Sequence, residues 1–507
     1  MLFPSKTLPF AHQQEAFELS ADREAFAFLM EQGTGKSLPT AATVAYLYMT
    51  GKINGWVLAA PNGLHRKWMI EDIPMSLPDN IPRKIVCWQN SSAPVLRAFN
   101  RMIDSDDKVL NIFLINVEAL STVKGEELVK RFLQAHVGIF TIDESGRIKN
   151  PESKRTEKIV NLGAVADYRR ILNGLPVSKS PFDLFSQFQF LDPRILGTSY
   201  FAFKNRHATF YEKDHPFIKN LMAKQARLTG RPSNRVPQIV AEDAQGNKLY
   251  KQLEKLKTQI APYSYRKTKD ECFDLPPKVY DTRFFQMTAK QRSHYDDVKE
   301  NQRTVLDSEL IIIQHKLSVQ LRLQQITSGF MGITGEIEPR TICVAPEDNP
   351  RLMLLVDTLE DLDGSVIIWA RFKPEVAMIK KVLGEKAVTW YGDTSATDKP
   401  ENERAFKAGE VPYMIATASS GGIGRNWQIA GTSIYYSNSF DFEHRAQSED
   451  RNHRYGVAEG REKVLYIDLQ AEDSVDQDIV ASLRQKKDLG EYMMNKDRPK
   501  QTWDLFT

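Results

Sequence analysis

Residues 30–38 read Met-Glu-Gln-Gly-Thr-Gly-Lys-Ser-Leu. A run such as Gly33-Thr34-Gly35-Lys36-Ser37 lets backbone N–H groups close around phosphate oxygens, with the Lys36 ammonium near the β and γ phosphates and the Ser37 hydroxyl on Mg2+. A strict phosphate loop has a first glycine five places before Gly35, where this chain has Met30. Mg2+ bridging phosphates keeps several waters and accepts one or two carboxylates. The run Val137 to Ile142 followed by Asp143-Glu144 supplies them. Asp143 would hold Mg2+ through its water shell, and Glu144 would orient and deprotonate an attacking water. Taken singly, an Asp-Glu pair after a strand is an exposed strand end; beside the loop it completes a nucleotide site.

Two further groups lie late in the chain. Ser419-Ser420-Gly421-Gly422-Ile423-Gly424-Arg425-Asn426 follows an apolar strand-like run, and such a loop lets backbone approach the phosphate of a nucleotide or a nucleic acid. In Gln447-Ser448-Glu449-Asp450-Arg451-Asn452-His453-Arg454, the two arginines are three residues apart, so on a helix they would share a face. Arginines opposite a γ-phosphate neutralise charge that develops in the transition state. Without such a partner, the same text is a salt-bridged surface helix.

These groups need elements to hold them. Short β-type runs alternate with helix-like stretches at Trp56 to Ala60, Asn111 to Val117, Val137 to Ile142 and Arg170 to Leu172. A second series follows at Val366 to Trp369, Ala387 to Tyr391, Tyr413 to Ala416, Ser433 to Tyr436 and Val464 to Ile467. The alternation predicts an α/β chain with two lobes, each a parallel sheet flanked by helices. Every candidate group sits at the carboxyl end of a strand, where open α/β sheets gather ligands. Between the lobes, charge-rich and helix-like text predicts helical insertions, and Leu310 to Ile326 has near-helical apolar spacing that core packing explains. The expected division is 1–235 for lobe 1 with part of an insertion, 236–350 for linker and insertion, 351–475 for lobe 2, and 476–507 for a helical tail.

The chain has 507 residues, 41% hydrophobic and 26% charged, and no apolar run approaches the roughly 18 residues that span a bilayer. The opening text lacks the basic and apolar segments of a secretory signal, so a cytoplasmic location is expected, with no membrane partner. Cys87, Cys272 and Cys343 have neither metal-ligand spacing nor an even count. A net charge of only +3 announces no nucleic-acid binder. Basic clusters at Lys204 to His207 and Arg484 to Lys487 read as solvated helix faces, so any phosphate contact must be local.

The ordered motifs resemble those of the Swi2/Snf2 family of superfamily 2 helicase-like ATPases. That family writes its phosphate loop as acidic-x-Gly-x-Gly-Lys-Thr/Ser, so Glu31 and the missing first glycine are expected there. Leu8 to Phe17 looks like the adenine-reading motif, which implies Gln13 as the base contact. Pro61-Asn62-Gly63-Leu64 with Trp68 looks like motif Ia, Asn116-Val117-Glu118 like Ib, and Asp143 to Asn150 like motif II. Leu191 to Phe203 with Tyr211 resembles the entry to the lobe 1 insertion. Tyr265-Arg266-Lys267-Thr268-Lys269, Leu275-Pro276-Pro277-Lys278 and Leu321 to Gln325 are texts that Snf2 proteins have and most other helicases lack. Ile368 to Phe372 corresponds to motif IV, Ser419 to Asn426 to motif V and Gln447 to Gly456 to motif VI.

The resemblance implies two RecA-like lobes with Snf2-type helical insertions, closing on ATP and Mg2+ to drive translocation on double-stranded DNA, branched DNA included. It implies nucleotide contacts at Gln13, Gly33, Thr34, Gly35, Lys36, Ser37, Gly424 and Gln447, and catalysis by Glu144, Lys36, Arg451 and Arg454, the arginines acting across a cleft. Phosphates of DNA would meet Pro61, Asn62, Asn116, Arg371, Ser419, Ser420 and Asn426. Such compact motors are common in bacteria and their viruses, which gives an infected host cytoplasm or a nucleoid as the setting. Three departures stand out: the motif III consensus Thr-Gly-Thr-Pro is Asn173-Gly174-Leu175-Pro176, motif IV carries Arg371, and motif II continues Ser145-Gly146 in place of Ala-His. Two other readings stay open: a strand-separating helicase on forked DNA or RNA, and a nucleotide-gated DNA-binding partner of a nuclease or recombination protein without a motor stroke.

Overall fold

Strands covered on both faces read as unbroken apolar runs, and Gly-Trp-Val-Leu-Ala-Ala at residues 55–60 is buried along its whole length. A computed structural model describes residues 3–494 apart from 105–107, 230–235, 245–246, 307–308, 314–315, 334–335, 337, 344, 396, 422–425 and 455–460. The chain divides into two units, Met1–Thr268 with Asp488–Thr507, and Lys269–Lys487.

The first unit is built on β1 (Ala25–Phe28), β2 (Gly55–Ala60), β3 (Arg83–Cys87), β4 (Leu110–Asn116), β5 (Gly138–Asp143), β6 (Tyr168–Leu172) and β7 (Ser264–Tyr265). Their order is β3-β4-β2-β5-β6-β1-β7, every neighbouring pair parallel. Side chains alternate across the sheet. Val57, Ala59, Phe113, Ile115, Phe140 and Ile142 pack on one face, and Trp56, Leu58, Ile112, Leu114 and Ile139 on the other. Helices α1 (Ala11–Ser20) and α2 (Ser37–Met49) lie on either side of the glycine run at residues 33–37 in the chain. After residue 207, bridges Ala208 to Tyr250, Phe210 to Val240 and Glu242 to Lys248 fold an insertion back on itself.

The second unit opens with β8 (Lys278–Phe285), followed by a hairpin of β9 (Arg303–Leu306) and β10 (Glu309–Ile312), then by β11 (Phe330–Met331) and β12 (Arg340–Thr341). Next come β13 (Val366–Ala370), β14 (Ala387–Trp390), β15 (Tyr413–Thr417), β16 (Thr432–Tyr435) and β17 (Val464–Ala471). The main sheet runs β14-β15-β13-β16-β17-β8, again all parallel. Two parallel-sheet α/β lobes are therefore present, as the alternation predicts.

The region between the two strand series differs from its helical reading. The division falls after Thr268, not across a separate 236–350 module. Residues 264–265 extend the first sheet, and 278–285 form an edge strand of the second, paired along its length with β17. An edge strand is half exposed, so Lys-Val-Tyr-Asp-Thr-Arg-Phe-Phe carries no apolar run to mark it. Leu310 to Ile326 is not one helix, because residues 309–312 are a hairpin strand and the helix is Lys316–Thr327. The tail is helical over Val475–Met494, and residues beyond it lie outside the described ones. Among the described residues, no helix is long and apolar enough to cross a membrane.

Candidate nucleotide and phosphate sites

In the first unit the glycine run joins β1 to α2. Gly33 and Gly35 have φ of 85° and 79°, left-handed values that glycine adopts without strain. A Cβ on Gly35 would also stand 2.2 Å from Gln13 Nε2. That amide nitrogen donates to the carbonyls of Thr34 (3.3 Å) and Gly35 (3.1 Å), while Gln13 Oε1 accepts from the Phe10 N–H (3.0 Å). His12 Nε2 donates to the Thr34 carbonyl at 2.9 Å. Gln13, expected as a base contact, here braces the loop. The Thr34 hydroxyl donates to the Glu31 carbonyl (2.7 Å), and the largely buried Lys36 ammonium reaches the same carbonyl at 3.3 Å, lying over its own loop.

Asp143 ends β5. Its Oδ2 accepts from the Trp68 indole N–H at 2.8 Å and its Oδ1 from the Glu144 N–H at 2.9 Å. Burial pushes its carboxyl above the usual range, and the Trp68 hydrogen bond and the nearby Lys36 charge oppose that push only in part. A cation beside Asp143 would reverse the shift. Close to Ser37 lies a carboxylate that sequence reasoning did not select, Asp72, which accepts from Lys67 Nζ at 3.4 Å. Burial, with the Asp143 charge close by, raises Asp72 as well, against the pull of Lys67. Asp72 closes the π-helical turn Trp68–Asp72, and such turns recur at functional sites. Nothing in the local text Trp-Met-Ile-Glu-Asp sets Asp72 apart from an exposed acid; the wider turn brings it inward.

Glu144 follows with φ 52° and ψ 57°, a left-handed conformation costing a non-glycine residue on the order of 1–3 kcal/mol, found where surroundings over-determine it. Its Oε1 accepts from Gln32 Nε2 at 3.2 Å. Lys36, Ser37, Asp143 and Glu144 thus gather with Asp72 at one edge of one sheet. At the same edge, Pro61 and Asn62 leave β2, and Asn116 ends β4, its register partner being Ala60. Pro61 is buried, Asn62 exposed and Asn116 half-buried.

In the second unit, Arg371 follows β13, and Ser419 and Ser420 follow its neighbour β15. The Arg371 guanidinium lies 5.0 Å from the Phe372 ring centroid, and burial lowers its basicity. Ser419 and Asn426 are exposed. Gly424 lies outside the described residues.

The arginine segment differs from its helical reading. The helix is Phe442–Glu449, so Gln447 is inside it while Arg451 and Arg454 lie in the turn beyond. The buried Arg451 Nε donates to the Gln447 carbonyl at 2.8 Å and the Arg451 carbonyl accepts from Trp427 N–H at 2.9 Å, so the side chain closes the helix end in place of a further turn. Arg454 is half-buried. The texts around Lys269 and Lys278 hold this segment. Lys269 is paired with Asp450, both nearly fully buried, and also donates to the His453 carbonyl at 2.9 Å. Lys278 meets Glu449 at 3.1 Å, Tyr280 donates to Glu449 at 2.8 Å, and Arg445 bonds both Glu449 (2.8 Å) and Asp468. Burial raises the Glu449 carboxyl, but Lys278 and Arg445 outweigh it and bring it down to about 2. His453 Nε2 donates to the Pro276 carbonyl at 2.9 Å. Its imidazole is held down at about 4 by burial and by the Lys278 and Lys269 charges. Removing one partner from a buried ion pair costs about 3–5 kcal/mol, so this network sets where the arginine turn stands.

Residues 12–343 match the SNF2-related domain, and residues 350–456 match the helicase conserved C-terminal domain. The TATA-binding protein-associated factor BTAF1 of Arabidopsis thaliana is 24% identical over 62% of this chain and 17% of its own length. The ATP-dependent helicase fft3 of Schizosaccharomyces pombe is 21% identical over 89% of this chain and 52% of its own. The putative ATP-dependent helicase/translocase YwqA of Bacillus subtilis is 25% identical over 62% of this chain and 31% of its own. The chain thus spans about half or less of the length of these curated relatives. A solved Sulfolobus solfataricus SWI2/SNF2 ATPase core in complex with dsDNA aligns over 97% of this chain and 94% of its own, with 19% identity and a TM-score of 0.40. With more than half of its residues inside the first of the two domain matches, the chain belongs to the SNF2-related family.

Proposed function

We propose that the chain is a DNA-dependent ATPase that tracks along double-stranded DNA and thereby remodels DNA or protein–DNA complexes. The observation that carries this reading is the gathering of Lys36 and Ser37, on a loop with two left-handed glycines, with Asp143 and Glu144 at the carboxyl edge of one parallel sheet. The relatives' names, ATP-dependent helicase and helicase/translocase, point the same way.

In this reading the glycine loop cradles the phosphates, Lys36 leaves the Glu31 carbonyl for the β and γ oxygens, and Gln13 lies beside the base. Mg2+ would be held by Ser37 and Asp143, and the donors around it, carboxylates and a hydroxyl, are the hard oxygens it prefers. When bound, it neutralises charge on the phosphates. Glu144 takes the proton of the attacking water. On lobe closure Arg451 and Arg454 would act on the phosphates bound by Lys36, and Gln447 and Gly424 are proposed as further nucleotide contacts. Pro61, Asn62, Asn116, Arg371, Ser419, Ser420 and Asn426 meet DNA phosphates, contacts that position a duplex without reading its sequence. A nuclease or recombination protein is the partner class proposed, and the cytoplasm the setting.

The experiment is strand displacement. A translocase that grips an intact duplex strips a third strand from a triplex when ATP is present, and leaves a plain fork of equal length mostly paired. Efficient fork unwinding without triplex displacement would overturn tracking in favour of the strand-separating reading.

A further inference from the structure

The helix Leu184–Leu191 reads Leu-Phe-Ser-Gln-Phe-Gln-Phe-Leu, and Gln187 within it is fully buried. A buried amide needs partners for both ends, and Gln187 has four. Its Oε1 accepts from the Ser145 hydroxyl at 2.7 Å and from Asn173 Nδ2 at 2.8 Å. Its Nε2 donates to the carbonyls of Pro176 (2.9 Å) and Asp183 (2.6 Å). Those two carbonyls can only accept, so the orientation of the amide is fixed.

The two groups joined at Oε1 come from different strand ends. Ser145 directly follows Glu144. Asn173 follows β6, which lies between β5 and β1 in the sheet, and its N–H donates to the carbonyl of Phe28, the last residue of β1, at 3.1 Å. Asn173 Oδ1 accepts from the Leu175 N–H at 2.9 Å, which shapes the turn. A Cβ on Gly174 would stand 2.9 Å from the Gln32 backbone nitrogen, so this turn packs directly on the phosphate loop. Gln32 in turn donates to Glu144. The contacts close a ring: Glu144, Ser145, Gln187, Asn173 with Gly174, Gln32, and Glu144 again.

We propose that Gln187 is a positioning residue for the reaction proposed above, tying the acidic turn at 143–145 to the turn at 173–176 so that Glu144 and the phosphate loop hold one geometry. The tie accounts for two of the sequence departures together. The Thr-Gly-Thr-Pro hydroxyls are absent at Asn173 and Leu175, and a hydroxyl stands at Ser145 instead, with the Gln187 amide spanning the two positions. It also supplies a restraint next to the left-handed Glu144, since the residue after it is held by a buried, fully bonded side chain.

The test uses the full chain with Gln187→Met, which keeps length and burial but cannot bond, and Ser145→Ala, which removes a single hydrogen bond. Amide hydrogen exchange of the nucleotide-free protein should speed up at residues 143–147 and 173–176 together in Gln187→Met, while the rest of the sheet keeps its protection. In ATP turnover, kcat should fall about 10- to 100-fold with KM within about threefold, as misplacement near 1 Å costs that much. Ser145→Ala should move both readouts in the same direction by less, and it carries the test if Gln187→Met does not fold. Faster exchange in only one of the two turns, or kcat near wild type in the folded variants, would overturn the proposal. If the wild-type protein turns over no ATP, the proposed reaction fails while the exchange result still decides whether the tie exists.

Discussion

Lys36→Ala is expected to abolish measurable ATP hydrolysis and to weaken nucleotide binding. The ammonium is the largely buried point charge of the glycine loop, and its present acceptor, the Glu31 carbonyl at 3.3 Å, is a neutral group that a phosphate would outcompete. Losing a charge-assisted hydrogen bond costs about 1.5–3 kcal/mol, or roughly 10- to 100-fold in nucleotide affinity. Losing a preorganised donor at the reacting group costs about 10²–10³ in kcat. Glu144→Gln makes the contrast. It keeps Asp143, Lys36 and the loop, so ATP should bind well and turn over poorly. Equilibrium binding of a fluorescent ATP analogue, read beside single-turnover hydrolysis, separates the two variants. An equal affinity defect in both would mean that the roles are wrongly divided, and wild-type turnover in Lys36→Ala would remove the loop from the mechanism.

Arg451→Ala and Arg454→Ala should each lower turnover by about 10³–10⁵, the range of an arginine finger, with ATP binding nearly intact. The two changes should fall well short of additive when combined, because groups that act as a unit fail together. Arg451 carries a second, structural role, since its Nε donates to the Gln447 carbonyl at the end of the helix. Arg451→Lys should therefore lose both the helix closure and the bidentate phosphate geometry. Steady-state kinetics with duplex DNA present is the measurement. Near-normal rates in both alanine variants would return this segment to a structural part of the second sheet's edge.

The central strands were legible because their physics is local. Trp56 to Ala60 and Val366 to Trp369 are covered on both faces and must be apolar throughout. Edge strands such as Arg83–Cys87 and Lys278–Phe285 have one open side and carry polar residues, so their text resembles a connection. The site divides the same way. Lys36 and Ser37 stand where the glycine run meets α2, and Asp143 and Glu144 at the end of β5, so residue type and spacing mark them. Asp72 and Gln187 stand on helices, one in a π-helical turn and the other fully buried. A glutamine inside Leu-Phe-Ser-Gln-Phe-Gln-Phe-Leu was the visible hint, since an amide in an apolar helix needs partners. Helical spacing suggested a shared face for Arg451 and Arg454, but the helix stops at Glu449, and buried pairs of Lys269 with Asp450, Lys278 with Glu449 and Arg445 with Asp468 hold the segment on both sides of that end.

The measurement that bears most directly on the account is the ATPase rate of the wild-type protein with no polynucleotide, single-stranded DNA, duplex DNA and RNA in parallel, across a salt series. Duplex DNA should stimulate turnover most, and the DNA concentration for half-maximal stimulation should rise steeply with salt, because phosphate contacts release counterions. Turnover that no DNA changes, or that RNA or single strands stimulate more than duplex, would contradict a motor that tracks on double-stranded DNA.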